Sequence, residues 1–452
     1  MRVIIIGAGE VGYHIAKKLS DEKQDVVLID KDPAKIRRIS ENLDVQAIVG
    51  SGTSPKILRL AGIQEAELVA AATDSDEVNL IACLLARSLN PDAVKIARVR
   101  NREYLQEKAL FSKDLLGVDL IINTQAMMID TILSLMEIPG ASEVIDFLGG
   151  EVKLVSFLIS ADSPFAGRTL SDLRTHEANL LIGAIVRGHK ILIPSGSDTI
   201  QPLDLVYVVV KKTEVNQMLT RLGMSTRPMK NIIIVGAGGT GMEVAKALDH
   251  RRLNVRIIDQ DGEKCKNAAT LLDHVIAIKG DGADRDLLRE VNAGDMDMLI
   301  AVTGDEESNV LISLLAKELG ALRTITRVSK LSYMNIVSAI GLDTVINPRM
   351  SAVRAILQYL RRGKIISVAP LREEQAEAIE AEALETSDIV NTPLSEVNFP
   401  AGAILGAIVR NGDIIIPQGN TVVIPNDRLI IFALQDVIGE LENLLTVKLE
   451  YF

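Results

Sequence analysis

Two segments, "VIIIGAGEVGYHIAKKL" from Val3 and "NIIIVGAGGTGMEVAKAL" from Asn231, each join an apolar run to a G-x-G-x-x-G loop and a helix-patterned stretch. A strand, a glycine turn and a helix in that order open a doubly wound parallel sheet. The repetition extends past the loops. Gly7 and Gly236 lie 229 residues apart, as do Asp30, ending "VVLID", and Asp259, ending "VRIID". "VGSGTS" from Val49 corresponds to "KGDGAD" from Lys279, and "AATDSDEVN" from Ala71 to "AVTGDEESN" from Ala301. "ARVRN" corresponds to "TRVSK", and "VDLIIN" to "LDTVINP". Order and spacing persist through the series, so chance does not account for it.

A second pair of segments also repeats. "LLIGAIVRGHKILIPSGSDTIQPLDLVYVV" from Leu180 and "AILGAIVRNGDIIIPQGNTVVIPNDRLIIF" from Ala403 share Gly-Ala-Ile-Val-Arg, Ile-Pro and a Pro-x-Asp before a final apolar strand. Short β-rich runs broken by Gly, Pro and Asn predict a small α+β lobe. The chain therefore reads A–B–A′–B′, with lobes at about 1–139, 140–224, 230–362 and 363–452, and "MSTRPMK" (224–230) as linker. The acidic stretch "REEQAEAIEAEALE" (372–385) is expected to be a solvated face or an edge strand. Within A, the strand patterns "RVIII", "DVVLID", "VQAIVG", "ELVAAAT", "VKIARV" and "VDLIIN" alternate with helical ones such as "AKIRRISENL". The predicted class is α/β: two doubly wound, Rossmann-like parallel sheets, each followed by a small α+β lobe.

Bulk properties narrow the partners. At 452 residues and 48% hydrophobic, the chain is globular with several cores. A net charge of −11 argues against a nucleic-acid groove or adhesion to anionic lipid. With 3% aromatics and no Trp, base-stacking platforms are not expected. Cys83 and Cys265, far apart in apolar helical contexts, predict buried thiols in a reducing compartment. No signal peptide is read ahead of the strand at Arg2. No apolar run approaches the roughly 18 residues of a membrane span. The expectation is a cytosolic protein that serves a membrane process, if any, by docking on a membrane protein.

Gly7, Ala8, Gly9, Glu10, Val11 and Gly12 form the first loop; Gly236, Ala237, Gly238, Gly239, Thr240 and Gly241 form the second. The first glycine permits the tight turn, the second lets a pyrophosphate approach, and the third lets helix pack on strand. The helix N-terminus offers N–H groups and a positive dipole end to phosphates. Asp30 and Asp259 stand where an acid accepts ribose hydroxyls, and they would repel a 2′-phosphate. That favours NAD(H) over NADP(H) and leaves ATP or ADP open. The alternative is a glycine turn that packs strand on helix without any ligand. Ser51 and Asp281 follow the third strand and Thr73 and Thr303 the fourth. Arg98 and Arg327 end the fifth, where each would hold a phosphate or form a surface ion pair. Asp74, Asp76 and Glu77 read as charges at a helix start.

No catalyst emerges. His14, His176, His189, His250 and His274 have neither metal-ligand spacing nor a triad pattern. Arg187 and Arg410, in the shared Gly-Ala-Ile-Val-Arg, read as structural. "TQAMMIDTILSLMEIP" (124–139) and "MSAVRAILQYLRRG" (350–363) carry Met, Ile and Leu at helical spacing, either as core or as crossover helices packing on another lobe.

These residues resemble the bacterial and archaeal Trk-type potassium uptake regulators, whose chains carry tandem RCK (KTN) domains. The resemblance rests on "IIIGAGEVG" with Asp30, "IIIVGAGGTG" with Asp259, and the two Gly-Ala-Ile-Val-Arg lobes, and it spans essentially the whole chain. It implies a non-enzymatic, peripheral cytosolic subunit that binds NAD(H) and adenine nucleotides. Four chains would form a gating ring on a Trk-type potassium-translocating membrane subunit. The family pattern of Gly-Asp after the third strand is kept at Gly280-Asp281 but is Gly50-Ser51 in the first lobe, so the two sites are expected to differ. Two other readings stay open: an NAD-dependent oxidoreductase with duplicated cofactor domains, and a regulator of a different transporter with a ligand such as a cyclic dinucleotide on the B lobes.

Overall fold

A computed structural model describes residues 1–112, 115–176, 181–188, 190–224, 227, 229–330, 333, 337, 340–348, 352, 353, 356, 365–371 and 375–445. The chain divides into two compact units, Met1–Met128 with Asn347–Tyr359, and Ile129–Ile346 with Leu360–Phe452.

In the first unit, β1 (Arg2–Ile6), β2 (Asp25–Asp30), β3 (Gln46–Val49), β4 (Leu68–Ala71), β5 (Val94–Arg98) and β6 (Leu120–Ile122) form a parallel sheet in the order β3-β2-β1-β4-β5-β6. The central strands are unbroken Val, Ile, Leu and Ala because helices cover both faces. Val3, Ile4 and Ile5 are fully buried. The helices start where short polar side chains cap them. Asp32 accepts from Ala34 N ahead of Pro33–Asn42, Ser54 from Ile57 N ahead of Pro55–Leu60, and Ser75 from Val78 N ahead of Asp76–Leu89. Pro33 and Pro55 occupy the first helical position, where no N–H is needed. Cys83 is free and packs in the core with Ile4, Ile6 and Val69, where burial pushes its thiol up to about 12. Cys265 is also free and buried.

The helix Thr124–Glu137 leaves this unit after Met128. Of the stretch 350–363, read either as core or as a crossover helix, Ala352, Val353 and Ile356 are buried and belong to the first unit; the rest lies outside the described residues.

The second unit holds three sheets. β7 (Ala141–Phe147), β8 (Val152–Leu158), β9 (Leu181–Arg187), β10 (Lys190–Leu192) and β11 (Leu205–Lys211) form an antiparallel sheet, β10-β9-β11-β8-β7. β12 (Asn231–Val235), β13 (Asn254–Asp259), β14 (Val275–Lys279), β15 (Met298–Ala301), β16 (Thr324–Arg327) and β17 (Thr344–Ile346) repeat the parallel order, β14-β13-β12-β15-β16-β17. β18 (Ile365–Leu371), β19 (Ala376–Glu382), β20 (Ala403–Arg410), β21 (Asp413–Ile415) and β22 (Arg428–Leu434) form the last sheet, β18-β19-β22-β20-β21. The predicted class holds: two Rossmann-like parallel sheets and two small, mostly antiparallel lobes.

The two antiparallel sheets share one core, in which Phe147, Leu154, Tyr207 and Val209 meet Ala378, Val409, Ile430 and Phe432. This explains the glycine of each Gly-Ala-Ile-Val-Arg. A Cβ on Gly183 would lie 2.1 Å from the Phe432 ring, and one on Gly406 would lie 2.6 Å from it. The arginine of the motif is structural, as expected. Arg187 forks onto Asp204 (Nε to Oδ1 2.9 Å, Nη2 to Oδ2 2.7 Å) and also donates to Thr199 O. Arg410 repeats this on Asp427 and Val422 O. Both aspartates are 1% exposed in their side chains and also accept a backbone N–H, from Gln201 and Ile424. The aspartate of the repeated Pro-x-Asp is therefore the acceptor for the repeat's arginine. Asp204→Ala leaves the guanidinium and Gln201 N without their carboxylate. We expect a loss of about 2 kcal/mol in denaturant unfolding, with Asp204→Asn losing less.

The acidic stretch corrects an expectation. Its described part, β19, is neither a solvated face nor an edge, since it pairs with both β18 and β22. Glu377 is 0% and Glu380 2% exposed. Glu380 Oε1 accepts from Arg428 Nη2, and its Oε2 accepts from Leu148 N at 3.3 Å. Ala376 and Ala378 pack into the shared core, and Ala381 and Ala383 into the core of the second small lobe. Burial of Glu380 is permitted because Arg428 on the neighbouring strand and the Leu148 N–H from the first small lobe satisfy its carboxylate.

Candidate functional site

In each parallel sheet the strand order reverses between the first and fourth strands, β1/β4 and β12/β15. The crevice at such a switch point, at the C-terminal strand ends, is where doubly wound sheets take ligands. The three loop glycines have distinct roles. Gly7 and Gly236 have φ of +109° and +108°, and a Cβ on either would lie 2.9 Å from the backbone N of Thr73 or Thr303. The loops after the first and fourth strands therefore touch. Gly12 and Gly241 sit beneath them, where a Cβ would lie 1.8 Å from Gly7 O or Gly236 O. Gly9 and Gly238 are different. They hold ordinary extended backbone (φ −71°, ψ −178°; φ −75°, ψ −174°) and cap the helices Glu10–Asp21 and Gly239–Asp249. A Cβ on either would meet nothing within 4 Å.

Asp30 and Asp259 end the second strands and turn inward onto these loops. Asp30 accepts from Ala8 N (2.6 Å) and Asp32 N (2.9 Å); Asp259 accepts from Ala237 N (2.7 Å) and Asp261 N (2.9 Å). Each oxygen has a second lone pair, so the carboxylates can also accept hydroxyls. Lys264 Nζ lies 3.8 Å from Asp259. After the third strand, Ser51 Oγ bonds Thr53 Oγ1 at 2.8 Å and Asp281 accepts from Ala283 N at 2.8 Å, both in exposed loops.

Thr73 and Thr303 are placed by a residue that motif reading passed over. Asn79, fully buried, accepts from Thr73 N (2.9 Å) and Thr73 Oγ1 (2.7 Å) and donates to Thr73 O (3.2 Å) and Arg98 O (2.8 Å). Asn309 makes the same four bonds to Thr303 and Arg327 O. The signal was present as Thr-x5-Asn in both repeats, closing the quoted "AATDSDEVN" and "AVTGDEESN".

Arg98 and Arg327 reach the same edge from the fifth strands. Arg98 Nη1 is 3.1 Å from Asp74 Oδ1, and burial lowers its pKa. Arg327 Nη1 donates to Thr303 O at 3.4 Å. Asp76 and Glu77 lie in the first helical turn as expected, and Asp76 also accepts from Arg100 N and Asn101 N. His14 Nε2 is 3.7 Å from Glu10 Oε2, and His274 Nδ1 is 3.8 Å from Asp249. Among the described residues, no group of His, Cys, Asp and Glu could hold a metal ion, and no helix is long and apolar enough to cross a membrane.

The repeated sheets match the TrkA-N domain at residues 3–124 and 232–348, and the small lobes match the TrkA-C domain at 154–223 and 378–446. The chain belongs to the TrkA family. It is 36% identical over 458 residues to the Trk system potassium uptake protein TrkA of Azorhizobium caulinodans, covering 100% of both chains. It is 33% identical, again with full coverage of both, to that of Halomonas elongata. TrkA homolog 1 of Methanosarcina mazei is 36% identical, with 98% of this chain and 99% of the relative aligned. In fold, the TrkA architecture matches the GsuK RCK domain with a TM-score of 0.61 at 18% identity, covering 98% of this chain and 94% of that one. The GsuK channel bound to NAD matches with a TM-score of 0.62 at 18% identity, covering 98% and 78%. The TrkA-N lobes thus carry the two candidate crevices, and the TrkA-C lobes carry the paired small sheets.

Proposed function

We propose that this chain is a nucleotide-sensing regulatory subunit of a Trk-type potassium uptake system, acting by binding rather than by catalysis. Its four lobes, at about 1–139, 140–224, 230–362 and 363–452, would dock on the cytoplasmic side of a potassium-translocating membrane subunit, with four chains forming a ring. The relatives' names supply the potassium-uptake system. The residues supply the sensor.

One observation carries the nucleotide reading. Gly9 and Gly238 need not be glycine for backbone conformation or packing, since their φ and ψ are ordinary and their Cβ positions are open. A cradle kept clear at the N-terminus of a helix, twice in one chain, suits a pyrophosphate lying on the backbone. In this reading the N–H groups from Gly9 to Gly12 and from Gly238 to Gly241 face the phosphates. Asp30 and Asp259 take ribose hydroxyls and select NAD(H), ADP or ATP over 2′-phosphorylated cofactors. Ser51 or Asp281, Thr73 or Thr303, and Arg98 or Arg327 complete each rim. Bound nucleotide would shift the ring only through unequal affinity for two arrangements of the lobes.

The test is calorimetric titration of NAD+, NADH, ADP and ATP into the full chain and into Gly9→Ser and Gly238→Ser. Serine is a good N-cap, so thermal stability should hold. Its side chain fills the cradle, so affinity at the altered lobe should fall at least about tenfold, a loss of about 1.4 kcal/mol. Unchanged affinity in both variants would remove the nucleotide reading.

A further inference from the structure

The two crevices differ in charge at the same place. In the first lobe one carboxylate borders the crevice from each of its two loops: Glu10, directly after Gly9, and Asp74, directly after Thr73. In the second lobe both counterparts are glycine, Gly239 and Gly304; the acid of its second loop is moved one residue on to Asp305, where the first lobe has Ser75, and there it caps the helix by accepting from Ser308 N and Ser308 Oγ. The loops are adjacent, since Thr73 N lies against Gly7. Glu10 occupies the first turn of the phosphate-facing helix, 3.7 Å from His14 and 4.0 Å from Arg38. Asp74 pairs with Arg98 at 3.1 Å, so this guanidinium already faces a carboxylate before any phosphate arrives. Gly304 leaves open space where a side chain would stand. The opposite exchange, Ser51 for Asp281, lies after the third strand, two strands away from the switch point and on the ribose side.

We infer that the two sites sort nucleotides by charge. The second takes ligands with terminal phosphates, such as a nucleoside diphosphate. The first disfavours them and takes the dinucleotide, whose pyrophosphate is esterified at both ends, leaving no terminal phosphate, and whose oxidised nicotinamide is cationic. This rests on the nucleotide reading above. Two carboxylates several ångströms from a terminal phosphate, in a partly solvated crevice, suffice for about a tenfold difference. Because Glu10 and Asp74 are solvent-accessible, that difference must fade with salt.

The experiment uses ADP and NAD+ as probes on the full chain, with Asp259→Ala silencing the second site or Asp30→Ala the first. ADP should bind the first lobe about tenfold more weakly than the second at about 20 mM salt, and the gap should narrow by about 500 mM. Glu10→Gln with Asp74→Asn, which keeps side-chain size, should close the gap from one side. Gly304→Asp, for which there is room, should close it from the other. NAD+ affinity should move much less. If NAD+ binds but ADP binds both lobes equally, or the double variant leaves ADP affinity unchanged, the sorting inference falls alone. If neither probe binds the unaltered chain, the nucleotide reading falls and takes the inference with it.

Discussion

Gly241→Ala should unfold the second parallel-sheet lobe, and Gly12→Ala the first. Helix propensity predicts the opposite sign, since alanine is favoured over glycine inside a helix by about 1 kcal/mol. Packing decides. The added Cβ would lie 1.8 Å from Gly236 O, and the atom it strikes is backbone rather than the end of a flexible side chain. Relief requires the helix Gly239–Asp249 to lift off β12 and β13 by more than an ångström. Val244, Ala245 and Leu248, all 0% exposed, would then lose their fit. Overpacking with no way to relax costs about 3 kcal/mol or more, and losing the helix seat adds to it. Gly236 cannot yield either, because its φ of +108° is fixed by the turn and its own Cβ position is filled by Thr303. Thermal unfolding followed by circular dichroism should show one lobe's transition displaced to low temperature or absent. The serine variants at Gly9 and Gly238, only three residues earlier, should melt like the parent. A Gly241→Ala chain melting at or above the parent would contradict this account of the loop.

What could be read ahead of the structure divides by range. The glycine loops, the terminal aspartates of the second strands and the alternation of strand and helix are local patterns, and duplication presents each of them twice. The fold class followed from them. The acidic stretch was misread for the complementary reason. Ala-Glu alternation has the period of a strand with one wet face. Its burial depends on Arg428, 48 residues from Glu380, and on the backbone of Leu148, 232 residues away. Local pattern carries no trace of such partners. The shared Gly-Ala-Ile-Val-Arg was legible as a motif, whereas the Phe432 ring that demands both its glycines lies on another strand. Arg98 was placed correctly at the end of its strand, but its neighbour Asp74 reads in sequence only as a helix-start charge.

Asn309→Ala should destabilise the second TrkA-N lobe by about 3 kcal/mol, with Asn79→Ala matching it in the first. Each amide uses both acceptor and both donor positions, so nothing in it is spare. Removing it leaves Thr303 N, Thr303 O and Arg327 O in a site with 0% exposure at residue 309, where water does not easily replace the lost partner. For a lobe of this size the melting point should fall by about 10 °C. Asn309→Asp is the sharper variant. It keeps the acceptor toward Thr303, loses the donor toward Arg327 O, and buries a charge, so it should be no better than alanine. The amide also ties the loop after β15 to the end of β16, fixing Thr303 and Arg327 on one rim. Nucleotide affinity at the second lobe should therefore drop in variants still folded at low temperature, while the first lobe binds as before. Equal loss at both lobes would mean that the amide supports the chain as a whole and not its own crevice.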